Sequence, residues 1–199
     1  MPSIEIATDR LLLTPLTDGD AEALFAYRSH PEVSRYQHWE PTCPADAIEF
    51  IQGLRDVEFD TPGTWFQFGI RLRESGTLVG DLGVHVLEDA AQAEIGFSLS
   101  PVLQGRGLAT EAVIGLLDYL FGHLGKHRVI ASVDPRNEPS LRLLRRVGMR
   151  QEAHFIQSLL FKGEWADDIV LAILRSEWSA SGGLHGKART PTHQRAGLS

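Results

Sequence analysis

Residues 93–113, AEIGFSLSPVLQGRGLATEAV, contain the pattern that decides the fold. An apolar, strand-like run leads into a glycine-rich turn, and the turn opens directly onto residues spaced as in a helix. Small residues let the backbone approach a ligand closely, while the free N–H groups and positive dipole end of a helix start favour an anion. The stretch therefore predicts a strand, a phosphate-binding loop and a helix, with an ordinary tight turn as the plainer alternative.

The sequence around this loop limits the kind of phosphate site. A Walker loop needs Gly-Lys followed by Ser or Thr, which is absent here. A Rossmann fingerprint needs a third glycine where Thr110 stands, and strands that alternate with helices around the loop. Because neither pattern is present, a pyrophosphate cradle in an antiparallel setting is the remaining interpretation.

Periodicity elsewhere in the chain predicts an α+β fold. Alternating or apolar runs typical of strands occupy residues 4–16, 65–72, 78–87, 93–100, 128–133, 151–161 and 169–174. Helical spacing or caps follow residue 20, begin at residue 44, follow residue 107 and cover residues 139–147. We expect a mixed, mostly antiparallel, twisted sheet of about seven strands flanked by four helices.

Length, charge and cysteine content restrict the class of protein. The chain has 199 residues and a formal net charge of −7, which suits one domain and disfavours binding to nucleic-acid phosphates. Its single cysteine, Cys43, excludes an internal disulfide and a cysteine-based zinc site. The sequence shows neither a basic leader nor an apolar run of membrane-spanning length, so we expect a cytoplasmic protein without a membrane partner or a metal.

The composition changes near residue 178. From residue 179 to residue 199 the chain is rich in Gly, Ser, His and basic residues and lacks apolar periodicity. We therefore expect one domain over residues 1–178 and a polar C-terminal tail over residues 179–199. A second copy of the chain would give such a tail a surface to bind, so a homodimer is the expected assembly.

Several motifs resemble those of one enzyme superfamily. Gln104-x-x-Gly107-x-Ala109 matches the Gln/Arg-x-x-Gly-x-Gly/Ala signature of GNAT acetyltransferases, and the order of predicted elements is similar to the GNAT fold. Three segments resemble the RimJ/RimL-type branch: TDRLLLTPLTDGDAEALFAYRSHPEV, NEPSLRLLRRVGM and GEWADDIVLAILRSEW. The resemblance implies an N-acetyltransferase with acetyl-CoA as cosubstrate and no metal. It also implies that the pyrophosphate is held by the loop amides of Gln104, Gly105, Arg106, Gly107, Leu108, Ala109 and Thr110.

Acetyl transfer from sulfur to nitrogen requires removal of a proton from the amine. The resemblance places this base at Glu94, on the strand before the loop, acting directly or through water. If the preceding connection is centred near Asp89 and Ala90, His85 pairs with Glu94 across two antiparallel strands. The face shared with Glu94 then contains Asp81, Gly83, His85, Gly96 and Ser98. A polar face in the middle of a sheet predicts a site, and a solvated Glu–His ion pair is the alternative.

The transfer also needs a polarised thioester carbonyl and a proton for the leaving thiolate. By the same resemblance, backbone N–H groups around Ser98 and Leu99 polarise the carbonyl, and Asn137 hydrogen-bonds the pantetheine arm. The tyrosine donor of many relatives is replaced by Leu144, so Ser140 is the candidate acid. Asn137 and Ser140 are also typical of a helix start, where they would act as caps.

The resemblance places the acceptor beside the loop between the first two helices. This loop contains Tyr36, His38 and Trp39, and His85 would join them from the sheet. Large aromatic side chains are more often core residues, which is the structural alternative for all three loop positions. The expected acceptor is the α-amine at a protein N-terminus. The alternatives are a small amine (an aminoglycoside, a polyamine or an amino acid derivative) and a catalytically weak acyl-CoA-binding regulatory domain.

Overall fold

The computed structural model describes residues 4–180, which form an α+β fold around one sheet. Its strands follow the order β1-β2-β3-β4-β5-β6-β8-β7, and only the β5–β6 pair is parallel among these residues. The strands are β1 (Ile6–Ala7), β2 (Leu11–Pro15), β3 (Trp65–Leu72), β4 (Leu78–Val86), β5 (Gln92–Leu99), β6 (Arg128–Val133), β7 (Arg150–Phe161) and β8 (Glu164–Leu174). The expected mixed, mostly antiparallel architecture is confirmed.

The sheet has eight strands instead of about seven because the segment expected to be one strand over residues 4–16 is interrupted. The backbone N–H of Thr8 donates to the carbonyl of Leu11 at 2.9 Å, and the N–H of Leu11 donates to Oγ1 of Thr8 at 3.0 Å. These bonds close a turn between β1 and β2. Side-chain capping of this kind competes with a continuous ladder, and the apolar alternation alone did not reveal it.

The described residues contain six α-helices, two more than expected. They are α1 (Ala21–Arg28), α2 (Pro31–Ser34), α3 (Pro44–Gly53), α4 (Leu108–Gly122), α5 (Glu138–Arg146) and α6 (Arg175–Ala180). The additional helices are α2, which has a proline in its first turn, and α6, which crosses the predicted domain boundary at residue 178. Residues 181–199 of the expected tail lie outside the described residues. Between residues 4 and 180, no helix combines the length and apolar character needed to cross a bilayer.

Each face of the sheet is covered by different helices. On one face, α4 contributes Ala112, Leu116 and Leu120, all fully buried, to the main core. On the other face, α1 and α3 form a smaller cluster that includes Leu24 and Ile51. This two-sided packing fixes the central strands from both sides and therefore holds the strand before the glycine turn in place.

The pairing of β4 with β5 follows the predicted register. His85 lies opposite Glu94, and Asp81 lies opposite Ser98. Directly opposed residues of an antiparallel pair share a face, so the polar residues lie together as expected. The apolar alternates, such as Val84 and its partner Ile95, are buried in the main core.

The two edges of β5 are paired to different extents. Along β4 the pairing extends from Ala93 to Leu99, whereas β6 pairs with β5 only from Gln92 to Glu94. Beyond Glu94 the two parallel strands diverge, and residues 95–99 have no strand partner on that edge. Unpaired strand edges present N–H and C=O groups to whatever occupies the gap.

Candidate active site

Two glycines shape the turn between β5 and α4. Gly105 has a φ of +74° and Gly107 a φ of +77°, in the left-handed region where residues with a Cβ are strained. Gly107 is the N-cap of α4, so the amides that follow it lack intrahelical partners. A Cβ on Gly105 would meet no atom within 4 Å, which shows that the turn borders open space. The turn therefore presents free N–H groups and the positive end of the helix to this space, as a phosphate cradle requires.

A cleft of about 550 Å³ runs beside the turn. It lies between the end of β5, the start of α4, the residues around α2 and the first turns of α5. The sequence-predicted residues that line it are Tyr36, Ser98, Leu99, Gln104, Gly105, Gly107, Leu108, Ala109, Thr110, Asn137 and Ser140. Lining residues that the sequence analysis missed include Gln37, Phe97, Arg142, Leu143 and Arg146. The structure thus gathers the predicted cofactor residues, Arg106 excepted, around one cavity.

Five of the predicted residues do not line this cleft: Arg106, Glu94, His85, His38 and Trp39. Arg106 is exposed, and its carbonyl accepts a hydrogen bond from Nη1 of Arg10 at 3.0 Å. Trp39 stacks on Phe50 of α3 with ring centroids 4.4 Å apart, which corresponds to the structural alternative for this residue.

Ser98 has a buried hydroxyl that lacks a hydrogen-bond partner among the described residues. The residue is 6% exposed and lines the cleft near the end of β5. A buried polar atom without a partner costs free energy, and such atoms are rare in native proteins. The hydroxyl of Ser98 is therefore available to hydrogen-bond a water or a polar group of a ligand in this part of the cleft.

Glu94 is the last residue of β5 that pairs with β6, so it stands where the two strands begin to separate. Burial raises the pKa of its carboxyl above the usual value; the charge of His85 acts in the opposite direction, and that of Asp168 adds to the increase. His85 is stacked on Trp65 with ring centroids 5.1 Å apart. A half-buried carboxylate with a raised pKa is suited to accept a proton from an amine.

The first turn of α5 contains both Asn137 and Ser140. Oδ1 of Asn137 accepts a hydrogen bond from the backbone N–H of Ser140 at 3.3 Å, so Asn137 is the N-cap of the helix. The side-chain NH₂ of Asn137 is still available as a donor, since capping uses only its oxygen. Leu144 is fully buried in the main core, and it provides no proton donor at the position that many relatives fill with tyrosine.

The segment from residue 34 to residue 40 lies at the mouth of the cleft and contacts both α5's neighbouring residues and the β7–β8 hairpin. The hydroxyl of Tyr36 donates to the carbonyl of Arg136 at 3.1 Å, next to α5. At the tip of the β7–β8 hairpin, Nζ of Lys162 donates to the carbonyl of Ser34 at 3.0 Å. His38 contacts Phe161 edge-to-face, with ring centroids 4.9 Å apart. This segment therefore forms a fixed wall between the hairpin and α5.

A buried polar network that the sequence analysis missed lies beneath this wall. Asp81 is fully buried, and its carboxylate accepts hydrogen bonds from the Tyr27 hydroxyl at 2.5 Å and from Gln67 Nε2 at 2.6 Å. Arg28 donates to both carboxylate oxygens of Asp81. The same guanidinium donates to Oε1 of Gln37 at 2.7 Å, and Gln37 lines the cleft. The network connects the middle of β4 to the wall of the site.

A comparison with known families decides the identity of this arrangement. A model described as an acetyltransferase (GNAT) domain matches residues 10–150, which is most of the chain. The chain belongs to the GNAT acetyltransferase family. It is accordingly an acetyl-CoA-dependent N-acetyltransferase.

Individual GNAT relatives cover almost the whole chain. It is 30% identical to the uncharacterized N-acetyltransferase YnaD of Bacillus subtilis over 176 residues, covering 88% of this chain and 100% of that protein. It is 28% identical to the [ribosomal protein uS5]-alanine N-acetyltransferase of Escherichia coli, covering 90% of this chain and 95% of that protein. The crystal structure of a GNAT acetyltransferase from Bacillus anthracis superimposes with a TM-score of 0.80 at 29% identity, covering 87% of this chain and 100% of that one. The expected resemblance to ribosomal-protein N-acetyltransferases is confirmed.

Proposed function

We propose that this GNAT enzyme transfers the acetyl group of acetyl-CoA to the α-amine at a protein N-terminus. The observation that carries the proposal, for the binding of the acetyl donor, is the free edge of β5, which runs from residue 95 to the glycine turn. A cosubstrate lying along this edge has its phosphates at the turn and its thioester towards the point where β5 and β6 separate.

The backbone supplies most of the cosubstrate contacts in this proposal. The amides from Gln104 to Thr110 hold the pyrophosphate, and the free edge of residues 97–99 pairs with the amide groups of the pantetheine arm. The hydroxyl of Ser98 and the side-chain NH₂ of Asn137 add polar contacts from opposite walls of the cleft. Acetyl-CoA supplies the activated acyl group as a thioester.

Side chains and backbone N–H groups in and beside the cleft transfer protons and stabilise charge in this proposal. Glu94 takes a proton from the acceptor ammonium, directly or through a water, because its raised pKa lets it gain a proton readily. As the C–N bond forms, the N–H groups around Ser98 and Leu99 stabilise negative charge on the carbonyl oxygen. When the C–S bond breaks, the nitrogen of the tetrahedral adduct gives up its remaining extra proton to the Ser140 hydroxyl, which passes its own proton to the departing thiolate and so ends as a neutral hydroxyl in the first turn of α5. The residues described contain no group of three or more His, Cys, Asp or Glu arranged to hold a metal, and the proposed chemistry uses none.

The acceptor class is supported by similarity and by the fixed wall of the site. The Escherichia coli relative named for an alanine N-acetyltransferase activity aligns over nearly its full length. Tyr36 and His38 lie on the wall formed by residues 34–40, and Glu94 and His85 extend the acceptor side along the sheet. An amine is mostly cationic at neutral pH, and the half-buried Glu94 carboxylate offers it an attractive position.

A thiol-release assay with acetyl-CoA tests this proposal. The acceptors are a peptide with a free N-terminus and one internal lysine, the same peptide with a blocked N-terminus, spermidine, and an aminoglycoside. We expect thiol release with the free peptide. Most of this release should be lost with the blocked peptide, although its internal lysine is still present. Faster turnover of spermidine or the aminoglycoside would instead assign a small amine as the acceptor.

We also propose that the enzyme acts as a homodimer. The β7–β8 hairpin at the edge of the sheet exposes Phe155, Ile156, Leu160 and Trp165, which are 50–68% exposed. Exposed apolar clusters of this kind favour association. Light scattering should give twice the 22.0 kDa of one chain at micromolar concentration, and a particle of one chain's mass would contradict the proposal.

A further inference from the structure

The turn between β1 and β2 lies against the start of α4. Glu111, in the first turn of α4, accepts hydrogen bonds through Oε1 from Oγ1 of Thr8 at 2.6 Å and from the backbone N–H of Arg10 at 2.7 Å. Its Oε2 accepts a third from Nε of Arg10 at 2.6 Å. Thr8 and Arg10 lie at the start of the segment TDRLLLTPLTDGDAEALFAYRSHPEV, and neither has a part in the function proposed above.

The guanidinium of Arg10 also reaches the glycine turn itself. Its Nη1 donates to the carbonyl of Arg106 at 3.0 Å, and its Nη2 lies 3.5 Å from the position that a Cβ on Gly107 would take. A carbonyl facing a phosphate would repel it, because both carry negative charge on oxygen. By binding this carbonyl, Arg10 turns it away from the cradle and favours the conformation in which the amides face the ligand.

Arg10 has a second electrostatic effect on the same site. Burial of Glu111 opposes ionisation, but hydrogen bonds from Thr8 and Arg10 outweigh this and hold its pKa below the usual value. A charged carboxylate in the first turn of α4 stabilises the helix but repels a phosphate bound at the same helix end. The positive charge of Arg10, in direct contact with Glu111, offsets that repulsion.

We propose that Arg10 is a positioning residue for the pyrophosphate loop. It orients the loop by binding the carbonyl of Arg106, and its positive charge offsets the repulsion between Glu111 and the phosphates. This inference rests on the proposed cosubstrate site at residues 104–110. It differs from a purely structural role, because the Arg10 side chain is 51% exposed and exposed ion pairs contribute only about 0–1 kcal/mol to stability. The consequences of removing it should therefore fall on the phosphates of the cosubstrate.

Calorimetry with CoA and kinetics with two acetyl donors test the inference. The donors are acetyl-CoA and S-acetylpantetheine, which lacks the pyrophosphate. The variants are Arg10→Ala and Arg10→Lys, and the matched control is Arg73→Ala. Arg73 is a suitable control because its Nη1 donates to the carbonyl of Thr8 at 2.8 Å, on the same turn, without contacting the glycine loop.

We expect Arg10→Ala to weaken CoA binding by about tenfold to a hundredfold, as for the loss of hydrogen bonds from a charged donor. Turnover with S-acetylpantetheine should stay at the wild-type rate, so the preference for acetyl-CoA falls by the same factor. Arg10→Lys keeps the charge but not the forked geometry, and an intermediate loss is expected. Arg73→Ala should bind CoA as the wild type does.

Different results separate the inference from the proposed function. If Arg10→Ala binds CoA with wild-type affinity while Gly107→Val does not, the loop binds the cosubstrate and the inference about Arg10 is wrong. If the wild type itself does not bind CoA, the proposed function fails. Equal losses of turnover with acetyl-CoA and with S-acetylpantetheine would show a general structural defect and would overturn the positioning role. If Arg10→Ala fails to fold, Arg10→Lys supplies the same comparison.

Discussion

Asp81 and Ser98 face each other across the β4–β5 ladder, and their hydrogen bonding is opposite in character. The carboxylate of Asp81 is saturated by donors from Tyr27, Arg28 and Gln67. The hydroxyl of Ser98 is buried and has no partner among the described residues. The side chain of Asp81 thus has its hydrogen bonds within the protein, whereas Ser98 can still accept or donate one to a bound group.

The first prediction concerns Ser98. Removing an unpartnered buried hydroxyl costs the free protein nothing, so Ser98→Ala should leave the thermal midpoint unchanged or slightly raised. The ligand then loses one hydrogen bond, and CoA affinity or turnover should fall by roughly tenfold. Ser29→Ala is the matched control, because its hydroxyl is already bonded to the carbonyl of Phe25 at 2.7 Å. The prediction is wrong if Ser98→Ala melts earlier than Ser29→Ala and binds CoA normally.

The second prediction concerns the Arg28–Asp81 pair. Asp81→Asn should destabilise the protein by about 3–5 kcal/mol, because it leaves a buried guanidinium uncompensated. Arg28→Met should do the same to the carboxylate. The double variant should cost less than the sum of the two single changes, since the two groups depend on each other. Urea unfolding measures all three, and strictly additive losses would show that the pair does not act as a unit.

The third prediction tests the glycine turn. Gly107→Val places a branched side chain on a residue with φ +77° at the proposed phosphate cradle, and CoA binding should be largely lost. Gly76→Val is the matched control: Gly76 has φ +71° in the β3–β4 hairpin, where a Cβ would meet nothing within 4 Å. Both variants bear a similar backbone strain, so calorimetry with CoA should separate them. Equal CoA affinities in the two variants would remove the phosphate from the Gly107 loop.

The fourth prediction concerns the pH dependence of activity through Glu94. Glu94→Gln should lower turnover by about 10²–10⁴-fold and leave CoA affinity nearly intact, because only the base is removed. The wild-type pH–rate profile should lose activity on the acid side at a pH above the ordinary carboxyl range, since burial raises the pKa of Glu94. This acid limb should flatten in the variant. Glu88→Gln, an exposed carboxylate on the β4–β5 connection, is the control.

The raised pKa of Glu94 also predicts the stability of Glu94→Gln: the variant should lose activity without losing stability at neutral pH. A carboxyl whose pKa is raised by folding binds more protons in the native than in the unfolded state between its two pKa values. Stability therefore falls as pH rises from the unfolded pKa through the native pKa of Glu94. Glu94→Gln should remove that loss and unfold no earlier than the wild type at neutral pH, as measured in urea. Greater stability of the wild type at neutral pH would indicate a structural role for Glu94.

The strand and loop that build the site could be predicted because their determinants are local. The register that places His85 opposite Glu94 followed from the centre of the connection between β4 and β5. The loop at residues 104–110 followed from its glycines and the helix behind it, and all of these loop residues except Arg106 line the cleft. Short-range patterns of this kind depend on backbone geometry that neighbouring residues fix on their own.

The long-range contacts could not be predicted, because they join residues far apart in the sequence. Arg28 was an ordinary helix residue in the sequence, and only folding brings it to Asp81, 53 positions later. Trp39 was a candidate for the site although large aromatics are more often core residues, and its stacking on Phe50 depends on how α3 packs. Whether Glu94 and Ser140 can act as base and acid depends in the same way on distances between residues far apart in the sequence.

The free edge of β5 has a consequence for how this enzyme family diversifies. Peptide groups are chemically identical whatever side chain they carry, so a cosubstrate recognised by the main chain of residues 95–99 is insensitive to most substitutions there. Mutations can accumulate on the acceptor wall while the acyl donor continues to bind. If the donor binds along this edge as proposed, its recognition depends on the backbone and that of the acceptor on side chains, so the acceptor can change by single substitutions without loss of the donor.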